Sequence, residues 1–427
     1  MTAATALDRQ IAHHRRMTGE QRLAVALDLH EMSCDNSFFR YNGNSHAHLA
    51  ESLMSSAKTI LRRLPLLLTA AAVVAAVMRL PSEIVFTLAF AALIPLANMM
   101  SHATEALAMH FGPKIGGLLN ATLGTLTEFI IMFALLRSGQ TELLKASIVG
   151  SLLISLLLTV GAAILFGGLR HGMQRFDKES VGMASAAMIL AVVGLFVPTF
   201  LSFVIQKQES RHFLANFQNA AVDKLSLAVA GVLFLLYLAT VLYQLRSPAG
   251  EEHLAQKPSA ARPPNQAEWS KRQAVAAILS ATLGVAVVAE ILSGAAEPFG
   301  VSLGLSYLFV GIVILPVVGA ISEIVSCVRL ARSNMVDLAI SIPLNGAMQM
   351  SLFVVPLLVF LSAFDGTPLT LSFGASEVIA VVITVALAAY IAIDGLTSWL
   401  EGAQLLALWG ILALLFFFYV PLPPGAR

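Results

Sequence analysis

The sequence predicts an all-α, polytopic membrane protein of about eleven transmembrane helices, arranged as two inverted five-helix repeats behind one extra N-terminal helix. Three observations predict it. Hydrophobic residues make up 57% of the 427-residue chain and charged residues 12%, far too apolar a balance for a soluble protein of this length. Apolar runs of about 18 residues or more recur throughout, each long enough to cross a roughly 30 Å hydrocarbon layer as a helix. Finally, the pattern Gly-x-[Leu/Ile]-[Thr/Ser]-Glu occurs as Gly124-Thr125-Leu126-Thr127-Glu128 and recurs 195 residues later as Gly319-Ala320-Ile321-Ser322-Glu323. Gly116 and Gly311, Gly150 and Asn345, and Ser151 and Gly346 share that offset.

Residues 1–57 read as a cytosolic tail of limited order, with one short amphipathic stretch from Thr18 to Met32 and a polar, turn-rich stretch from Cys34 to His48. The first apolar run begins only near residue 59, so this is no signal peptide. His30, Cys34, His46 and His48 match no metal-finger spacing. The extra helix is expected over 58–80. A first five-helix repeat then fills 81–246, with apolar runs near 84–101, 115–136, 143–167, 181–205 and 225–245. The polar stretch 247–271, with Ser247-Pro248 and Pro263-Pro264-Asn265, reads as a cytosolic linker. The second repeat, 272–427, carries runs near 273–294, 302–328, 335–363, 375–393 and 402–422. None of the runs alternates with period two, which excludes a β-barrel.

Five spans is an odd number, so the second repeat enters the membrane inverted relative to the first. Lys58, Arg62, Arg63, Lys114, Arg170, Arg175, Lys178, the basic residues from Arg246 to Arg272, Arg329 and Arg332 fall on one side. Arg79, Arg137, Lys145, Lys207, Arg211, Lys224 and Arg427 fall on the other, a bias of roughly two to one that places the N-terminus in the cytoplasm. The expected location is therefore integral and multi-pass, in a bacterial plasma membrane.

Net charge of +1, without a basic stripe, argues against a nucleic-acid partner. Two cysteines, Cys34 and Cys327, make neither a disulfide framework nor a thiolate metal site. No span carries the His-Glu-x-x-His of a zinc protease or the Gly-x-Ser-x-Gly of a hydrolase, so no catalytic residues and no cofactor are expected and the chain is not read as an enzyme.

Glu128 and Glu323 both lie inside apolar runs. A carboxylate in hydrocarbon costs several kcal/mol or more and is normally turned toward a cavity, a partner or an ion path. One such acid in each half suggests a duplicated transporter with a single two-fold acidic site, both residues serving as cation, metal and proton ligands. Gly124, Pro316 and Gly319 are expected to break the helices there and free backbone carbonyls. Asn120, Thr125, Thr127, Ser151, Ser155, Ser322 and Gln349 supply further oxygens or line the path, and Glu290 is placed deep enough in its span to relay protons. Glu83 and Glu105 read as interfacial or cavity-mouth groups, and Glu377, Asp394 and Glu401 as framing helix ends. An oxygen-rich set poor in His and Cys suits hard cations such as calcium. When the ion leaves, desolvation and mutual repulsion favour proton uptake by the same oxygens, a sufficient coupling device for antiport. Calcium and protons would then be transported ions, with the lipid bilayer as the other partner; sodium or another monovalent cation, or a non-transporting scaffold, are the alternatives.

Several strings resemble a known family. Leu118-Leu119-Asn120-Ala121-Thr122-Leu123-Gly124 through Glu128, Lys145-Ala146-Ser147 with Gly150-Ser151, and Phe166-Gly167-Gly168-Leu169-Arg170 look like the calcium/proton exchangers of the cation/calcium exchanger superfamily. So do Ala289-Glu290-Ile291, Leu315-Pro316-Val317-Val318-Gly319 through Glu323, Met335-Val336-Asp337-Leu338-Ala339-Ile340, Gln349, and Asp394-Gly395 with Ser398-Trp399-Leu400-Glu401-Gly402. The resemblance covers about residues 60–422 and implies exchange of calcium or another cation for protons. Family members also occur in vacuolar membranes. The departures are local. Where the family usually has Asn before each acid, this chain has Thr125 and Ala320; the His that commonly follows the second Glu is Ile324; a Gly-Ser-Ser stretch is Asn345-Gly346-Ala347; and a common Asn is Ser155. The resemblance therefore implies an ion site thinned on the second-repeat side.

Overall fold

The computed structural model describes residues 64–419 apart from 112–115, 117–118, 120–121, 208–214, 247–268, 365–367 and 392–393. The expected tail (1–57), most of the expected linker and the candidate Asn120 lie outside the described residues. A backbone crossing hydrocarbon must satisfy its own N–H and C=O groups, which helices do within each segment. The described chain is accordingly almost wholly helical.

In order come α1 (Leu64–Val77), α2 (Ser82–Met109), α3 (Leu126–Arg137), α4 (Thr141–His171), α5 (Lys178–Lys207) and α6 (Ala215–Arg246). After the linker follow α7 (Lys271–Ser302), α8 (Tyr307–Arg332), α9 (Val336–Phe364), α10 (Ala375–Ile391) and α11 (Trp399–Phe418). Among the described residues, eight helices are long and apolar enough to cross a membrane; α1 and α10 are shorter, and α3 has 12 residues. Local chemistry sets the ends. Gly139 and Gly172, both at φ +75°, turn the chain before and after α4, a conformation glycine adopts without a Cβ penalty. Ser270 caps α7 by accepting from Gln273 N–H, and Ser306 caps α8 through Phe309 N–H. Glu377 accepts from Gly374 N–H, Glu401 from Ser398 N–H and Asp394 from Leu396 N–H, so all three acids frame helix ends or turns.

The 195-residue offset of the motif extends to the helices that carry it. α4 starts at Thr141 and α9 at Val336; α3 ends at Arg137 and α8 at Arg332. Each of α4 and α9 contains a π turn, Ile154–Thr159 and Met350–Val354, at matching positions. The motif helices themselves differ. In the first half regular helix is interrupted at Thr125, which has φ −91° and ψ 3°, and resumes at Leu126. In the second, α8 runs unbroken from Tyr307 to Arg332, so Pro316 and Gly319 are not helix breaks as the sequence suggested. A π turn at Val310–Ile314 directly precedes Pro316 and takes up the hydrogen bond and the space a proline denies to an α-helix. Gly319 then serves as a gap rather than a kink.

The most enclosed helices are α4 and α9, with 89% and 67% of their most apolar stretch buried, against 44% or less for the other long helices. Small residues let neighbours approach closely. Gly150 of α4 meets the backbone of Ile312 and the Pro316 ring of α8, and Gly311 of α8 meets Ala146 of α4. Gly161 and Gly402 do the same between α4 and α11. α2 and α7, which occupy equivalent places in the two halves, pack together along their length, with Phe86 stacked on Phe299 at 4.0 Å between centroids.

At one end of the bundle a short antiparallel pair forms a clasp. β1 (Gln174–Arg175) pairs with β2 (Leu396–Thr397). His171 bonds to the Arg332 carbonyl at 2.9 Å, Gln174 donates to Asn334 at 3.1 Å, and Asp177 N–H donates to Asp337 at 2.6 Å. These bonds tie the C-terminal ends of α4 and α8 to the starts of α9 and α11.

Candidate functional site

The wall of one cavity, about 150 Å³ in volume, is built from α2, α8, α9 and the stretches around the interruption before α3 and the π turn of α4. Glu128, in the first turn of α3, and Glu323, mid-way along α8, both line it. Each is half-buried, enclosed by helices on its backbone side and open to the cavity at its carboxylate. The two charges act on one another electrostatically.

Glycine makes room for both acids. A Cβ on Gly319 would sit 2.9 Å from Glu128 Cγ and 3.3 Å from its Oε1, and one on Gly346 would sit 3.6 Å from Glu323 Oε1. Glu128 thus reaches across from one half of the chain to lie against the motif of the other. Gly319→Ala will push the Glu128 side chain off this position while leaving α8 helical, since alanine is the better helix former. The expected outcome is cation affinity weaker by about tenfold, the equivalent of roughly 1.4 kcal/mol, with thermal stability kept. Titration calorimetry together with a melting curve reads both quantities.

Thr125, Thr127, Ser155, Ser322 and Gln349 line the same wall, as do Gly124 and Gly319. Other expected residues lie elsewhere. Ser151 is buried on α4 one turn before Ser155 and off the wall. Pro316 packs on Gly150. Glu290 is exposed on the outer face of α7, beside Leu283 and Val287, because Val285, Val288, Ala289 and Leu292 turn the opposite face inward. It does not line this cavity. Ala320 is 2% exposed and is not among the wall residues.

Four polar wall residues had no assigned ligand role in the sequence. Asn345, on α9, brings an amide where its counterpart in the first half is Gly150. The offset that pairs Gly150 with Asn345 carries that signal. Ser326 follows Ser322 and Glu323 by four and three residues, one helical turn. Ser101 and Glu105 stand one turn apart on α2, and Glu105 is exposed. Ala97, Met100, Ser101 and Glu105 run toward the C-terminal end of α2, and Gly319, Ser322, Glu323 and Ser326 toward that of α8. The cavity therefore extends from the two acids toward the end that carries the clasp.

The sodium/calcium exchanger protein family model matches residues 82–246 and 273–418. The chain belongs to this family. The two matched segments of this exchanger-family protein meet across the linker. It is 35% identical over 352 residues to a Ca(2+)/H(+) antiporter of Synechocystis, covering 78% of this chain and 91% of that one. It is 34% identical over 348 residues to the Ca(2+)/H(+) antiporter ChaA of Bacillus subtilis, covering 81% and 95%. Among solved structures, native YfkE superimposes with a TM-score of 0.69 at 30% identity, covering 84% of this chain and all of that one. The H+/Ca2+ exchanger CAX, with a TM-score of 0.59 at 15% identity, shares the fold.

Proposed function

We propose that the protein is a secondary active transporter that exchanges calcium for protons by alternating access. The observation that carries this reading is the convergence of Glu128 and Glu323, one from each half of the chain, on a single cavity. Two carboxylates balance the charge of a divalent ion, and the surrounding hydroxyls and amides of Thr125, Thr127, Ser155, Ser322, Asn345 and Gln349 offer the six to eight oxygens, completed by water, that calcium takes. Among the described residues the wall carries neither His nor Cys, the ligands that zinc and copper would draw on. With the ion gone, two carboxylates lining one cavity at membrane depth are neutralised by protons, so the same oxygens carry one cargo or the other and not both. The printed names of the bacterial relatives support calcium and protons as the pair.

Orientation follows from the charges. The clasp end bears Arg170, Arg175, Arg329 and Arg332, which the positive-inside bias assigns to the cytoplasm. The cavity then faces the cytoplasm, with the exposed Glu105 on its wall, and the bacterial relatives favour a plasma membrane.

Reconstitution into vesicles tests this directly. An imposed calcium gradient is expected to drive proton movement in the opposite direction, read by a pH-sensitive dye. Absence of proton movement with calcium, sodium, potassium or manganese at every pH tried would sink the reading.

A further inference from the structure

The two halves of the chain bring different neutral oxygens to the cavity. Among the described residues, every neutral polar side chain that the first half puts on the wall is a hydroxyl, whereas the second half adds two amides, Asn345 and Gln349. Across the 195-residue offset these amides stand opposite Gly150 and Ile154, neither of which carries a polar side chain. Both lie on α9, four residues apart and so on one face. On α4 the equivalent of Asn345 is shut, because a Cβ on Gly150 would fall inside the Ile312 carbonyl. On α9 it is open to the cavity, and Asn345 is half-buried there.

Two glycine contacts set the heights of these groups. α8 ends at Arg332 and α9 begins at Val336, both at the clasp, so the two packed helices run antiparallel. Gly346 of α9 lies against Glu323 Oε1, and Gly319, one turn farther from the clasp on α8, lies against Glu128. Asn345 is therefore level with Glu323, and Gln349, one turn on, is level with Gly319 and the Glu128 that rests on it. Each carboxylate has one amide at its own height. The level nearer the clasp, which a cation arriving from that end meets first, is that of Glu323 and Asn345.

Asn and Gln carbonyl oxygens join carboxylates and backbone carbonyls among the six to eight ligands that calcium takes at roughly 2.3–2.6 Å. Magnesium demands near-ideal octahedral geometry at about 2.0–2.1 Å and keeps several of its waters, so one more neutral oxygen on a helix gains it little. An amide also adds a ligand without adding charge. It therefore discriminates between divalent cations and not for divalent cations as a class.

We propose that Asn345 is a specificity-determining residue of the cation site, its amide oxygen beside Glu323 favouring calcium over magnesium. This inference rests on the cation site of the exchange reading, and binding measured apart from transport separates the two. Titration calorimetry of the full chain in lipid nanodiscs, with calcium alone and with magnesium alone, reads both affinities, and a melting curve on each sample reads the fold. Asn345→Ala, and Asn345→Leu at nearly the same volume, are expected to weaken calcium binding by about tenfold while magnesium stays within about twofold. Asn345→Asp, which keeps an oxygen at the same place, is expected to hold calcium at least as tightly as the wild type. Equal loss for both cations, no loss for either, or a wild-type protein that binds neither overturns the proposal. If the calcium preference depends on Asn345 but vesicles show no calcium-driven proton movement, the assignment stands and the exchange reading falls. If vesicles exchange calcium for protons but the calcium preference is unchanged in Asn345→Ala, the exchange reading stands and the assignment falls.

Discussion

Glu128→Gln and Glu323→Gln will each abolish calcium-coupled proton movement while the protein stays folded in the membrane. Removing one unit charge at about 4 Å from a bound cation, at an effective dielectric near 20, costs roughly 4 kcal/mol per unit of ion charge, about a thousandfold or more in affinity. The amide also cannot take up and release the proton that the antiport needs. Both effects act on transport. Neither acts against the fold, because a neutral amide at membrane depth is cheaper than a carboxylate. Melting temperature is therefore expected to hold or rise as transport falls to background, and labelled-calcium uptake beside a thermal-shift curve reads the pair. Retained exchange in either variant would move the site away from this cavity.

The second large effect is expected at Gly150, far from any charge. A Cβ there would fall inside the Ile312 carbonyl and 2.6 Å from the Pro316 ring, so Gly150→Val must separate α4 from α8. Both partners are backbone or a rigid ring, and neither can swing aside. Overpacking of this kind costs about 1–3 kcal/mol or more in a close-packed interior. Because α4 is the most enclosed helix, the strain has no outlet to lipid. Gly150→Val is expected to lower the melting temperature and the yield of monodisperse protein together with transport. Gly182→Val, at a glycine with open space around it, serves as the control and should do neither.

Much of the fold was legible in the sequence because membrane physics leaves few choices. Runs such as 143–167 and 335–363 had to become helices, and α4 and α9 cover both. The paired acids were legible for a related reason: carboxylates are expensive at that depth, so two at one offset stand out. What stayed hidden depends on which way a side chain turns. Glu290 sits inside an apolar run, and only the packing of α7 on α2 shows that it faces outward. The burial of Ala320, likewise, is set by how α8 packs and not by its apolar run. Pro316 looked like a break, and no residue pattern announced the π turn that absorbs it. Asn345 lay in plain view, but its amide counts only once α9 is placed beside α8.

The interruption at Thr125 has a consequence that reaches past the captured conformation. The two halves share helix ends, the π turns of α4 and α9 and the acids at one offset, yet regular helix is interrupted at Thr125 where the other half stays helical through Ala320. Because the halves are inserted upside down relative to one another, trading their local shapes turns the cavity over. α8 would bend at Ala320, α3 would straighten, and the opening would face the opposite side. A single form of such a molecule thus contains the template for its inverted counterpart, and the difference between its two halves measures how far it has to travel.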